Sequence, residues 1–519
     1  MSNVPFRNIY SNDTTNIATC ISPYHKTRGG YLGKEAVRET VKEVSGLVDA
    51  HFIQLAHGQV PWYKSKVYPQ SEHLKWWSEY FEVPRKKFDE LTELYAYVRD
   101  GGDILQDFID ACREFKQAAF VSMRLNDGHH IEWSEKKGHL SGIHSINKFL
   151  VEHKHLMIGS DLTKWEERTL NWIYEEPRSY ILSLITEQCE NYDIDGFELD
   201  FLRHPYFFRL NETTFEQRAA VMEDFILKVR EVLDRTERNG KHRYLCVRVP
   251  SNLKMWDEIG LMPEGLKALG VEMVNVSSFF YADQWMHHRE FISRMPGMAV
   301  YFEVTNCTAR GKAYGGNDSE VLRRTTEAEI LSAAHLAYSM GGQGLSFFNF
   351  AYYREYGVHP ELRGPFTEPP FHAIGKSRDR VFVKCAPGHF FIASGWRKNS
   401  QLSCGFDVNE EYKLEINAWE PEDGWKNDLR MRVISNDPLG DRDIEITFNG
   451  EKALPCDDIS EPYKVDNEYP QLHGNKENTR AFTVPFKAVK NGINTFTLKI
   501  TSETECGAVR FSYIDIFPM

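Results

Sequence analysis

Two carboxylates, Glu198 and Asp200, stand two residues apart in the stretch Gly196-Phe-Glu-Leu-Asp-Phe-Leu-Arg-His204. Alternation along a strand puts both on one face, with Arg203 and His204 just past the strand end. A buried strand has little reason to carry two acids on one face unless they are paired or used. Used, they supply acid–base chemistry: one carboxylic acid protonates a leaving oxygen while a second carboxylate attacks or activates water. Paired, they form a buried ion network with Arg124 and Arg248 that holds the scaffold together.

Such a strand needs neighbours, and the chain offers seven more. Apolar strand-like runs lie at Arg7–Tyr10 (leading into Ser11-Asn12-Asp13), Ala50–Ala56, Ala119–Arg124, Tyr244–Val249, Met273–Ser278, Met298–Val304 and Gly344–Phe350. Apolar stripes at helical spacing fall between them, at Lys34–Val48, Arg178–Asn191, Val221–Leu233 and Thr326–Met340. The alternation over residues 1–375 predicts an α/β fold, a (β/α)8 barrel with Val60–Asp110 as its largest insertion. From 376 to 519 short strands with turn residues take over, among them Leu414–Ala418, Leu429–Val433, Ile444–Gly450, Thr495–Ile500 and Val509–Ile514. That texture predicts an accessory antiparallel β-sandwich, jelly-roll-like.

In a barrel the reacting groups sit where strands end at the C-terminal face. Reading those ends in order gives Asn12 and Asp13, then His57 and Gln59, then Arg124, Asn126, Asp127, His129 and His130. The carboxylate strand adds Glu198, Asp200, Arg203 and His204; later strands add Arg248, Tyr281, Glu303 and Asn349. Tryptophans such as Trp62, Trp76 and Trp77 edge this set. Glycosidic bond cleavage uses such equipment: a carboxylate pair for the bond, aromatics for sugar faces, amides and arginines for hydroxyls or acidic groups. Asp127, His129 and His130 also have the ligand chemistry of a metal-dependent hydrolase, although no helical His-x-x-x-His accompanies them. A carbohydrate-binding barrel without turnover is a third reading.

Asp195-Gly-Phe-Glu-Leu-Asp200 resembles the Asp-Gly-x-x-x-Asp signature of glycoside hydrolases in several clans. It is similar to the nucleophile strand of the alpha-amylase clan, although Glu198 stands where that clan has Arg. The bacterial family-ten-like glycosyl hydrolases are a fuller likeness. The resemblance there takes in Asn12-Asp13, Arg124-x-Asn-Asp-x-His129 and Arg203-His-Pro205. It implies a barrel glycosidase acting on carbohydrate without a cofactor. Two assignments follow from it. Either Asp200 is nucleophile or base with Glu303 as acid, or Glu198 is acid/base with Glu303 as nucleophile. Long insertions suggest an exo-type pocket.

Composition narrows the class. The 519 residues are 41% hydrophobic and carry 75 acidic against 62 basic side chains, a net charge of -13. That balance, without a basic run, argues against a nucleic-acid binder. No apolar run approaches the roughly 20 residues that span a bilayer, so no membrane partner is expected. Nine dispersed cysteines and an N-terminus without a basic–apolar leader suggest a reduced, cytoplasmic protein; a removed leader would make it secreted or periplasmic. Monomer and homo-oligomer both fit.

Overall fold

The computed structural model describes residues 3–13, 17, 33–57, 59–82, 93–129, 146–278, 284, 286–312, 320–351, 369–394, 400–462, 475–502 and 507–519. Eight parallel strands close a barrel: β1 (Ile9–Asp13), β2 (Ala50–Gln54), β3 (Ala118–Arg124), β4 (Gly196–Asp200), β5 (Tyr244–Pro250), β6 (Met273–Ser277), β7 (Ala299–Thr305) and β8 (Gly344–Phe348). They follow one another around the ring in chain order, and β8 returns to β1. The helices between them include α1 (Lys34–Lys42), α2 (Ile104–Glu114), α3 (Glu175–Asn191), α4 (Phe215–Arg235), α5 (Lys254–Ile259), α6 (His288–Arg294) and α7 (Glu327–Ser339). Thr214 and Thr326 start α4 and α7 with reciprocal capping boxes to Gln217 and Glu329, as their sequence spacing demands.

The first strand differs from the expected Arg7–Tyr10. It runs Ile9–Asp13, so the polar Ser11-Asn12-Asp13 belongs to the ladder, with Asn12 opposite Ile53 and Asp13 opposite Gln54. Barrel strands point alternate residues inward, and polar inward residues near the mouth leave no apolar signature to read.

Asp195 and Gly196, the head of the motif, lie at the other end of β4 from Asp200. Asp195 Oδ2 accepts the backbone N–H of Ala119 (2.7 Å), and the carboxylate is paired with Arg113 and Lys241. Burial works against its anion, but these partners outweigh it and hold its pKa below the ordinary value. Gly196 is required by space. A Cβ there would lie 2.1 Å from the ring of Phe120 and 2.6 Å from the carbonyl of Tyr244. Both residues therefore join strands at the barrel floor, where Phe6 meets Phe120 (5.5 Å) and Tyr244 (5.2 Å) edge-on. Asp195→Ala is expected to lower stability by about 1–3 kcal/mol while leaving any turnover unchanged, as read by urea unfolding beside an activity assay.

After the barrel strands come β9 (Phe390–Ala393), β10 (Glu411–Ala418), β11 (Leu429–Ser435), β12 (Asp443–Phe448), β13 (Glu451–Lys452), β14 (Leu454–Cys456), β15 (Thr479–Val484), β16 (Gly492–Thr501) and β17 (Phe511–Pro518). They form two antiparallel sheets, β9-β17-β11-β15-β14 and β10-β16-β12-β13. Inward residues of both, such as Ile416, Met431, Phe448, Phe482, Phe496 and Ile514, form one apolar core, the architecture of a sandwich. Buried charge sits in it too: Arg432 donates to both oxygens of Asp515 (3.1 and 2.6 Å), which also meets His389 (2.9 Å). By packing, the chain divides into two compact units, residues 1–279 with 293–300, and residues 280–292 with 301–519. Among the described residues no helix is long and apolar enough to cross a membrane.

Candidate active site

The side chains around Glu198 and Asp200 all belong to the first unit. Glu198 and Asp200 face the same side of β4, as their spacing requires, and both are fully buried. Their surroundings differ. Glu198 Oε1 accepts from Ser122 Oγ (2.7 Å), and Oε2 lies 3.4 Å from Asn275 Nδ2 and 3.5 Å from Cys246 Sγ. These are neutral interior side chains of β3, β6 and β5. Asp200, two residues nearer the mouth, takes a charged partner: its Oδ2 accepts from Arg248 Nη1 (3.0 Å) and Gln54 Nε2 (3.2 Å). Its Oδ1 accepts the backbone N–H groups of Leu202 (2.9 Å) and Arg203 (3.0 Å). Asp200 thus fixes the turn that follows its own strand while Arg248 supplies the countercharge.

A second layer of charge lies beside it. Arg124 is buried and donates to Asp13 (2.5 Å), with Asp127 3.6 Å away. Burial pulls the guanidinium's pKa down, and the carboxylates of Asp13, Asp127 and Asp200 together outweigh it, leaving the value raised. Asp127 is fully buried as well; its interactions with His129, His204 and Arg124 overcome desolvation and hold its pKa well below the carboxylate norm. His129 Nδ1 bonds Asp127, and Arg203 donates to His129 Nε2 (3.1 Å). A guanidinium cannot accept, so Nε2 is the lone-pair side and the imidazole proton sits on Nδ1. Burial pushes His129 down to about 3, which keeps that ring neutral. The chain Asp127–His129–Arg203 therefore steers a half-buried guanidinium at the mouth.

His204 completes the cluster. Its Nδ1 accepts the N–H of Gly128 (3.0 Å), and its ring stacks on Trp165 (4.5 Å, 9°). The guanidinium of Arg168 lies 3.2 Å from the Trp165 ring centre, a close cation–π contact. His204 has φ +57°, a left-handed backbone for a branched-ring residue ahead of Pro205. Strain of this kind is of order 1–3 kcal/mol and is held only by surrounding structure.

The remaining sequence candidates fall in varied places. Asn126 donates to the carbonyls of Leu170 (2.8 Å) and Tyr206 (2.7 Å) and accepts the N–H of Leu170 (3.0 Å), so its amide ties loops together. Asn12 is buried on β1. Trp62 is 3% exposed, inside the protein and away from the position a sugar platform needs. His130 and Tyr281 lie outside the described residues. In the second unit, Glu303 sits buried on β7, opposite Ser346 of β8, and Asn349 follows β8 with φ +47°.

Sequence reading missed Gln54, Trp165 and Arg168. Gln54 was findable: it is the last residue of β2, and only an overlong strand ending at Ala56 moved attention to His57 and Gln59. Trp165 and Arg168 lie 40 or so residues beyond β3 in chain order, and no local pattern marks them.

Asp127, His129 and His204 bring ligand atoms within 4.8 Å of one another, a spacing that could hold a metal ion. The donor set fits a cation poorly. Arg124 and Arg203 already place two positive groups against it, both ring nitrogens of His129 and Oδ1 of Asp127 have hydrogen-bond partners, and Asp127 Oδ2 faces Arg124.

No protein-family model matches the chain, and no curated protein sequence does. Among solved structures, chitinase ChiA74 from Bacillus thuringiensis aligns over 99% of this chain and 100% of its own at 8% identity, TM-score 0.43. The PgaB (BpsB) glycoside hydrolase domain from Bordetella bronchiseptica aligns over 72% and 99% at 10% identity, TM-score 0.42. An alpha-amylase from Geobacillus thermoleovorans aligns over 96% and 99% at 10% identity, TM-score 0.38.

Proposed function

We propose that the chain is a glycoside hydrolase, with Asp200 as nucleophile or base and Glu303 as proton donor. The observation that carries this reading is Asp200 itself. A carboxylate at the mouth end of an inward strand face is held by four fixed donors from β2, β5 and its own turn. Preorganisation of that kind places a reacting oxygen without reorganisation during the reaction. Glu198, which accepts from Ser122 Oγ one step deeper along the strand, serves the barrel interior in this reading. Arg203, steadied by His129 and Asp127, holds substrate oxygens at the mouth. An exo-acting pocket accepting a chain end is the form we favour.

A sugar-binding barrel without turnover is supported by the same bonds, because they engage both Asp200 oxygens and leave it fully buried. One experiment separates the two. Aryl glycosides and plant, algal and host oligosaccharides, neutral and acidic, are incubated with wild type, Asp200→Asn and Glu303→Gln. Release by wild type alone supports hydrolysis; sugar binding with no release by any form sinks it.

The metal-dependent alternative has its own check. Exhaustive chelation is expected to leave wild-type release within about twofold, since arginines already compensate Asp127. Activity that vanishes with the chelator and returns with zinc would overturn this.

A further inference from the structure

A cleft of about 930 Å³ opens beside the charged cluster, in the first unit. It is at the upper end of the size range for ligand pockets, with room for more than one sugar ring. Every residue lining it comes from a segment that follows β3, β4 or β5, the face on which barrel enzymes bind substrate. Tyr206, in its wall, is two residues from His204, and Glu166 flanks the Trp165 that stacks on His204.

Its walls are built in advance. Arg209 donates to the carbonyls of Ile158 and Met157 (both 2.8 Å), joining the two lining loops. Glu167 accepts the N–H groups of Ser160 (3.1 Å) and Asp161 (2.8 Å), and the Tyr206 carbonyl accepts from both Asn126 (2.7 Å) and Thr169 (2.9 Å). The loops are thus tied to one another and to the strand-end residue Asn126.

The lining chemistry selects an occupant. Leu210 is 47% exposed within the cleft, and the half-buried Ile158, Leu162 and Tyr206 add further apolar surface suited to sugar C–H faces. The exposed Glu166, Glu212 and Glu258 offer hydroxyl acceptors. Glu167 is paired with Lys164 (2.7 Å), and against Glu166, Glu212 and Glu258 stand Lys154 and Arg209, of which Arg209 already bonds two carbonyls and approaches Glu212 at 3.4 Å. The excess of negative charge repels uronates and sulfated sugars and tolerates neutral ones.

We infer that this cleft is a subsite for a neutral oligosaccharide, holding the sugar units of the chain beyond the bond at the barrel mouth. The inference rests on the glycoside hydrolase reading and adds to it a substrate class and a dependence on chain length.

The test uses the full chain as wild type, Leu210→Ser and Glu258→Lys, all at exposed positions. The sugar whose aryl glycoside wild type hydrolyses is supplied again as its neutral hexasaccharide, and as an acidic oligosaccharide of equal length. Wild type is expected to show at least tenfold higher kcat/KM on the neutral hexasaccharide than on the aryl glycoside. Both variants should lose most of that ratio through KM. Equal efficiency at both lengths, a ratio the variants leave intact, or a preference for the acidic chain overturns the inference. If no aryl glycoside is cleaved, calorimetric titration with malto-, cello-, xylo-, manno- and chitohexaose takes over. Binding that both variants weaken about tenfold upholds the cleft while the hydrolase reading falls; no binding of any of the five overturns the cleft as well.

Discussion

Asp200→Asn is expected to cut turnover by about 10⁴-fold, the scale seen when one member of a catalytic carboxylate or triad set is neutralised. The same substitution should also weaken the fold, by about 3–5 kcal/mol, because it breaks a buried ion pair and leaves Arg248 uncompensated. Asparagine keeps one acceptor oxygen, which can stay with the N–H groups of Leu202 and Arg203. Its amide nitrogen then faces the Arg248 guanidinium, a donor-to-donor clash, whereas Gln54 can turn its amide to present its oxygen. The bonds to Asp200 give the physical reason for this cost. Turnover is compared at equal folded fraction, with stability read from urea unfolding. Near-normal turnover in folded Asp200→Asn would remove Asp200 from the reaction. A stability loss with wild type itself inactive on every substrate would leave Asp200 a purely structural ion-pair partner.

Acid should unfold this protein from the histidine side, well before its carboxylates titrate. Burial pushes His51 and His129 down to about 3, and His288 and His335 to about 4, from an ordinary 6.5. Each therefore stays neutral in the folded chain while its unfolded counterpart takes up a proton. Their contribution to stability is complete above pH 6.5. It falls as pH drops below 6.5, and the loss ends only when the folded-state values near 4 and 3 are passed. Each group contributes a slope of about 1.4 kcal/mol per pH unit, so the four together give about 5 kcal/mol per unit in the steep part. Against a typical stability of about 5–15 kcal/mol, unfolding is expected near pH 5. The carboxylates add to this later. Asp127 and Asp515 sit below the ordinary 3.8, so the stability they contribute is lost only as pH falls under about 4. Two of the histidines lie in each compact unit, so both units should weaken together. Urea midpoints from pH 7.5 to 4.5 measure the slope, and His51→Asn should remove about a quarter of it. A midpoint that stays flat between pH 6.5 and 5 would show that these rings are not buried neutral.

The division between what was legible and what was not runs through single residues. Strand periodicity placed the barrel and most of the sandwich, because inward and outward environments differ in polarity and the chain records that difference every second residue. It also put Glu198 and Asp200 on one face, since a strand has no other way to arrange residues two apart. It misplaced β1, where Ser11, Asn12 and Asp13 are polar and yet part of the ladder. It also missed β9 and β15, whose pairing partners lie far off in sequence, and β13 and β14, which at two and three residues are too short to show a period.

The motif read as one unit in sequence is divided in space. By itself the sequence determined that Gly196 and Asp200 share a strand that Asp195 introduces, and that the strand belongs to a barrel. Only the tertiary structure decided that Asp195 and Gly196 join strands at the floor, held by Ala119 and crowded by Phe120, while Asp200 reaches the mouth. It alone decided that Asp200 answers to Arg248 and Glu198 to Ser122, and that Trp165 lies against His204. The physical reason is range. Periodicity reports the polarity of each residue's own surroundings, whereas charge compensation and ring stacking join groups from strands and loops that the chain separates by tens of residues.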